Sequence, residues 1–382
     1  VRSSAASDVY KRQSNTSLIA LLTNMFLGLS IGANILAARY FGAHEDEELS
    51  KTVHTSILLS LYSGVFLTVV GILGARTILI WMQCPANVLD LATLYLRIYF
   101  AGMTATMLYN FGAALLRASG DTQRPLYYLF ASGVVNVILN LVFVIYFHMD
   151  VAGVALATVI SQCISAALVV RCLVKETGPL RLDFRQLKIY PIKLKQIMQV
   201  GIPAGIQGML FSLANVTVQS SVNSFGEVIM AGSSAAISIE QFIYSNINAF
   251  YQANVAFTSQ NYGAGDYRRI KKIAMISVVT GVVTTELLSV LAVYFGPQLL
   301  GIYSPSAEVV AASTTNCDRI TRSLAPSALR MPISRVRSVT DTSMMFIMPM
   351  PPTSSEMLAM PVRMMMTMLI ISFISSSHSL AL

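Results

Sequence analysis

Charge is what this 382-residue chain has least of. Asp, Glu, Lys and Arg make up only 12% of it, against 54% hydrophobic residues, and the mean hydropathy is +0.63. Soluble domains carry about 25% charged residues, so the composition points to lipid rather than water as the surrounding medium. Cysteine is also sparse. Cys84, Cys163, Cys172 and Cys317 are scattered without metal or redox spacing, which leaves no disulfide and no metal site to expect. No nucleophile–base set, metal cluster or phosphate-binding glycine loop occurs, so an enzyme is not expected. The short alternating strands of a transmembrane β-barrel are missing as well.

What the chain does have is roughly eight apolar stretches, near 15–41, 53–80, 90–116, 125–148, 151–174, 197–222, 227–259 and 270–299. Each is long enough for a helix to cross the hydrocarbon core, which takes about 20 residues. Inside lipid the backbone must satisfy its own hydrogen bonds, so these stretches are expected to be helices. The net charge of +8 and pI near 9.3 would suit nucleic acid, but the location of the charge argues otherwise. Arg39, Lys51, Arg117, Arg124, Arg171, Lys175, Arg181, Arg185, Lys188, Lys193 and Lys195 fall in gaps one, three and five, and Arg268, Arg269, Lys271 and Lys272 in gap seven. The even gaps, around Gln83–Asp90, His148–Val151 and Ser224–Glu227, hold no Lys or Arg. By the positive-inside rule the odd gaps face the cytoplasm.

That orientation puts Arg2, Lys11 and Arg12 outside, against the rule, and residues 1–14 read as a leader foreign to the rest. The halves also resemble one another. Tyr40-Phe41-Gly42-Ala43 ends the first stretch, and Asn261-Tyr262-Gly263-Ala264 ends the seventh. Before the second of these lies the helix at 197–222, opening with Gly201-Ile202-Pro203-Ala204-Gly205; before the first, no matching apolar stretch exists. Pro203 reads either as a bending point or, the simpler reading, as an ordinary start-of-helix proline. Internal repeats are a transporter habit, with the substrate site between the halves. After about Ala312 the helical rhythm stops, and residues 313–382 form a Met/Ser/Arg-rich tail holding about half of the 20 methionines. It reads as a frame-shifted or fused segment, or else a membrane-surface anchor at Met364–Ile374.

Two further stretches narrow the reading. One is Tyr109-Asn110 with Leu116-Arg117-Ala118-Ser119-Gly120-Asp121-Thr122-Gln123-Arg124-Pro125-Leu126. The other is Asn136-Val137-Ile138-Leu139-Asn140 with Met149-Asp150-Val151-Ala152-Gly153 and Ser161-Gln162. Together with the two Gly-Ala turns, in order over about residues 18–312, they resemble the multidrug and toxic compound extrusion (MATE) transporters. The resemblance implies an all-α polytopic membrane protein, a two-lobe helical bundle of which about eight of twelve helices are present. Residues 15–178 would form the N-lobe (family helices two to six) and 179–196 a basic cytoplasmic loop. Residues 197–312 would form a partial C-lobe (helices seven to nine). It also implies a cation-coupled antiporter, using H⁺ or Na⁺, that exports amphipathic, often cationic small molecules by alternating access across a bacterial cytoplasmic (inner) membrane. Two alternatives stay open: a lipid-linked precursor flippase of similar fold, and a truncated or chimeric fragment that transports nothing. The lipid bilayer and a small molecule are the expected partners. Neither nucleic acid, an obligate protein partner, a metal nor a cofactor beyond the coupling ion is called for.

Ionisable and polar groups at membrane depth are expensive and therefore candidates for function. Glu240 leads as an ion-coupling group or a hydrogen-bonded part of a cavity wall. Tyr244, Asn248 and Gln252 follow it at four-residue steps and can share one side of a helix. Gln207, Asn215, Gln219 and Asn223 supply a polar arc on the preceding helix, and Asn136 with Asn140 a pair in the first half. All are candidates for a substrate cavity or for simple helix-to-helix hydrogen bonding. Thr158 with Gln162 raises the same question, and Glu286, Asp150 beside His148, and Arg97 are weaker candidates. In the cytoplasmic-turn motif, Arg117, Gly120, Asp121, Arg124 and Pro125, the glycine supplies unusual backbone angles and Asp bonds its own backbone. Pro125 suits a first helical turn, and the arginines can reach lipid phosphates or Asp121.

Overall fold

A computed structural model describes residues 23–81, 86–223, 227–296 and 298, with side chains described for all of these except 81–88, 150, 211, 214–240 and 293. The leader over 1–14 and the tail over 313–382 lie outside the described residues. Everything regular among the described residues is helical. We number the helices α1 (Thr23–Gly42), α2 (Asp46–Trp81), α3 (Ala86–Ala101), α4 (Met103–Ala118), α5 (Gln123–Leu141), α6 (Asp150–Lys175), α7 (Pro191–Asn223), α8 (Glu227–Gly263) and α9 (Tyr267–Tyr294). Five of them, α1, α2, α5 (taken with the π-turn Val142–Tyr146 that ends it), α6 and α9, are long and apolar enough to cross a membrane.

Two expectations are corrected. The stretch near 90–116 is not one straight span: α3 and α4 meet at Gly102 with a bend of 42°. A β-carbon on Gly102 would come within 2.8 Å of Val159, so the glycine lets α6 lie against the bend. The second correction concerns Pro203. The helix begins at Pro191, twelve residues earlier than a start-of-helix reading of Pro203 requires, and Pro203 sits inside it. The start belongs to Pro191, whose missing N–H costs nothing there. At Pro203 the same chemistry leaves the Gln199 carbonyl without its helical donor.

The core explains which helices are fixed. Leu67, Leu79, Leu96, Phe100, Met103 and Met107 bury the contact of α2 with α3 and α4. A second cluster joins Leu36, Ala37, Leu49, Val53, Phe111, Leu115 and Leu173 to Leu180 and Leu182 of the loop after α6, and to Ile197 of α7. That loop is pinned along its length. Leu182 N–H donates to the Leu173 carbonyl (2.9 Å), Asp183 N–H to His54 Nε2 (3.2 Å) and Tyr190 N–H to Thr55 Oγ1 (3.2 Å). The Nδ1 of His54 lies 2.7 Å from the Ser50 carbonyl and donates to it, which assigns the neutral ring with its proton on Nδ1. By contrast α5 and α9 expose row upon row of apolar side chains, as surfaces facing lipid do.

Candidate functional site at the junction of the two halves

The related turns of the two halves meet each other. A β-carbon placed on Gly42 would fall under 3.0 Å from the Gln260 carbonyl group, and one on Gly263 under 3.0 Å from the Arg39 carbonyl group. Arg39 precedes Gly42 by three residues, and Gln260 precedes Gly263 by three. The contact is therefore reciprocal, each glycine seated on the backbone of the other repeat. Side chains extend it. The Arg39 guanidinium carbon lies 5.4 Å from the centre of the Tyr262 ring, and Gln260 Nε2 donates to the Ala118 carbonyl (2.7 Å) at the end of α4.

A second close approach lies deeper. A β-carbon on Gly28 would come within 2.6 Å of the Gly201 carbonyl oxygen, and one on Gly32 within 2.5 Å of the Ile197 carbonyl oxygen. Gly28 and Gly32 on α1 thus face Gly201 and Gly205 on α7, small residues four apart that let two helix backbones touch. Pro203 stands between the two α7 glycines. Nearer the start of α7, Lys193 is almost wholly buried, pairs with Glu48 of α2 and donates to Tyr40 Oη (2.5 Å), while Tyr40 donates to Gln196 (3.2 Å). Asn34 Nδ2 donates to the Ala114 carbonyl at 2.6 Å, joining α1 to α4. The sequence reading placed Tyr40 in a repeat turn and Lys193 in a basic gap without pairing them, and did not single out Asn34 or Glu48. The signal available was a lysine inside a helix-forming register four residues from Ile197, where it must be buried with its partner or not at all.

The cytoplasmic-turn motif forms one compact unit. Gly120 has φ +93°, a left-handed value that favours glycine. Asp121 Oδ1 accepts from the backbone N–H groups of Gln123 and Arg124, both at 3.1 Å, and so caps α5, whose first turn holds Pro125. The Arg124 guanidinium pairs with Asp121 and with Glu176 beyond α6, tying the ends of α4, α5 and α6 together. Arg117 is half-buried in the last turn of α4 and makes no ion pair among the described residues.

The intramembrane candidates do not gather into one cluster among the described side chains. The side chains of Glu240, Asn215, Gln219, Asn223 and Asp150 lie outside the described residues. On α8, Tyr244 and Asn248 are exposed and Gln252 is half-buried, while Gln207 on α7 is exposed. Asn246, not singled out on sequence, donates to Thr284 (3.2 Å) and Thr285 (3.3 Å) and holds α8 to α9. Asn140 Nδ2 donates to Asn136 Oδ1 (3.0 Å) and Asn136 Nδ2 to Ser161 (3.3 Å), so that this pair joins α5 to α6. Thr158 bonds its own helix at Val154 and Gln162 accepts from Ser165 through its carbonyl. Glu286 is half-buried without an ion pair among the described residues, and Arg97 is exposed. His148 has φ 49° in the outer turn.

The family model described as MatE matches residues 13–142 and 203–350. Among curated proteins, the chain is 28% identical over 300 residues to the "Probable multidrug resistance protein YoeA" of Bacillus subtilis (strain 168), covering 77% of this chain and 65% of that protein. It is 23% identical over 293 residues to the "Multidrug export protein MepA" of Staphylococcus saprophyticus, covering 77% of this chain and 64% of the relative. The chain thus spans a little less than two thirds of the length of these relatives. A solved structure titled "Outward-facing conformation of a multidrug resistance MATE family transporter of the MOP superfamily" superposes with a TM-score of 0.73 at 21% identity, covering 81% of this chain and 69% of the other.

Proposed function

Since the chain belongs to the MatE family, whose members are transporters and not enzymes, we propose that it acts as a cation-coupled antiporter. In this reading H⁺ or Na⁺ enters as amphipathic, often cationic small molecules leave, across the cytoplasmic membrane and by alternating access. The N-lobe runs over 15–178 and the partial C-lobe over 197–312. The observation that carries the reading is the reciprocal seating of Gly42 and Gly263. Two related helix ends that touch backbone to backbone, with few side chains between them, can close one side of a central path and part again without unpacking a core. Gln207, Tyr244, Asn248 and Gln252, together with Asn215, Gln219 and Asn223 by position, are the cavity candidates. Glu240 is the coupling candidate, since a carboxyl in apolar surroundings holds its proton more readily and releases it when water enters.

A lipid-linked precursor flippase is not favoured, for the relatives YoeA and MepA carry multidrug names. The test is uptake of a lipophilic cationic dye into proteoliposomes under an imposed pH or Na⁺ gradient. Gradient-dependent dye movement is expected; movement that ignores both gradients would refute the antiport. In the same assay Glu240→Gln should uncouple transport from the ion, and an unchanged response removes Glu240 from the mechanism while leaving the antiport standing.

A further inference from the structure

The start of α9 carries charge that the fold does not balance. Arg268, Arg269, Lys271 and Lys272 are all exposed, and none is ion-paired among the described residues. The acid that precedes them in sequence, Asp266, accepts the Arg269 backbone N–H at 3.0 Å. A helix N-terminus is itself electropositive and disfavours cations, so an anion from outside the helix is favoured beside these four side chains. Beside them lies a cavity of about 520 Å³, within the range of small-ligand sites (about 300–1,000 Å³), between the end of α1, the end of α8 and α9. Its walls are apolar at Phe41, Phe257, Ile273 and Ile276, and polar at His44, Gln260, Asn261, Arg269 and Ser277.

The face of α9 continues that pattern. Arg269, Ile273, Ile276, Val283 and Leu287 follow at steps of four, three, seven and four, one side of a helix. Ile276 is 52%, Val283 60% and Leu287 59% exposed. An exposed cation thus stands at the start of a helix long and apolar enough to cross a membrane, with an apolar track running along it.

We infer that this cavity binds an anionic phospholipid of the cytoplasmic leaflet, its phosphate against Arg269 and its acyl chain along the Ile273–Leu287 face of α9. The juxtaposed Arg268, Lys271 and Lys272 supply preference for a lipid with net negative charge over a zwitterionic one, by about fivefold per cation lost. Lipid association of this kind does not require transport, and a chain inactive in the dye assay would still show it.

The full chain, reconstituted in phosphatidylcholine vesicles, is examined with spin-labelled phosphatidylglycerol and spin-labelled phosphatidylcholine, and the motionally restricted fraction of each is measured. Phosphatidylglycerol should be preferred. Arg269→Gln should cut the preference about fivefold, and Arg269→Lys should retain most of it. Ile276→Trp, which fills the cavity without changing charge, should also lower it. Arg181→Gln with Arg185→Gln, on the loop after α6, should leave it unchanged. Equal association of the two lipids with the unaltered chain overturns the inference. So does a loss in the loop variant as large as that in Arg269→Gln, since diffuse charge would then be the cause. An Ile276→Trp variant with full preference rules out the cavity, which would point to its occupation by another part of the chain. Displacement of the labelled lipid by millimolar inorganic phosphate would make the ligand a free anion instead.

Discussion

Adding one methyl group to either glycine of the reciprocal contact should part the two helix ends that meet there. Neither Gly42 nor Gly263 has a positive φ, so Gly42→Ala and Gly263→Ala meet no backbone strain and act through the contact alone. The new β-carbon of Gly42→Ala would fall under 3.0 Å from three backbone atoms of Gln260, and that of Gly263→Ala would press on the Arg39 carbonyl group. Backbone cannot rotate aside as a side chain does, so the two helix ends must part. Forcing an extra methyl into a close-packed contact costs about 1–3 kcal/mol, which shifts the ratio of touching to parted ends by roughly 5- to 150-fold. Spin labels at Glu47 on α2 and Arg268 on α9, both exposed, report the separation by double electron–electron resonance. Each variant should move population to longer distances. The double variant should move it by less than the sum, because both methyl groups strain one shared contact. Distance distributions identical to that of the unaltered chain in both single variants would refute the reasoning.

Three further outcomes follow from the same geometry. Lys193→Met removes the buried partner shared by Glu48 and Tyr40, leaving Glu48 to Lys51 and Tyr40 to Gln196, and should lower stability by about 1 kcal/mol; Glu48→Gln added to it should add little to that loss, read as thermal unfolding in detergent. His54→Leu removes the acceptor of the Asp183 N–H, and limited trypsin digestion should then cut faster at Arg181 and Arg185; an unchanged cleavage rate would mean the His54 bond does not hold the loop. Pro203→Ala returns a donor to the Gln199 carbonyl and should raise the unfolding temperature while slowing dye transport, and a rise in both would argue against bending at this residue.

Much of the fold was legible because membrane helices announce themselves by length and by the alternation of basic gaps. The stretches near 151–174 and 125–148 match α6, and α5 with its terminal π-turn, closely. The bend at Gly102 was not legible, since α3 and α4 are separated by a single glycine that continues an apolar run without a change of composition. Pro203 misled for a related reason: the apolar register starts near residue 197, but the helix itself starts at Pro191, and its first turn carries the lysines that periodicity assigns to a loop. At the junction, the repeat of Phe41-Gly42-Ala43 and Tyr262-Gly263-Ala264 was visible as a pattern, but nothing in either copy says that each is seated on the other. Asn136 and Asn140 read alike as cavity residues or as helix-to-helix links; what sequence could not give is their bonds to one another and to Ser161, which join α5 to α6.

The pinned loop changes what kind of joint can connect the halves. A slack tether of that length would let α7 swing freely, but Leu180, Leu182, Asp183 and Tyr190 are each fastened to α2, α6 or the shared core. The fastening continues into α7 through Lys193, Gln196 and Ile197. Helix α7 is in effect a shaft clamped at its lower end, and torque applied to its far end has no free coupling to absorb it. The weak point within the shaft is the stretch Gly201–Gly205, where a proline has removed one internal bond and the backbone leans on Gly28 and Gly32 of α1 instead.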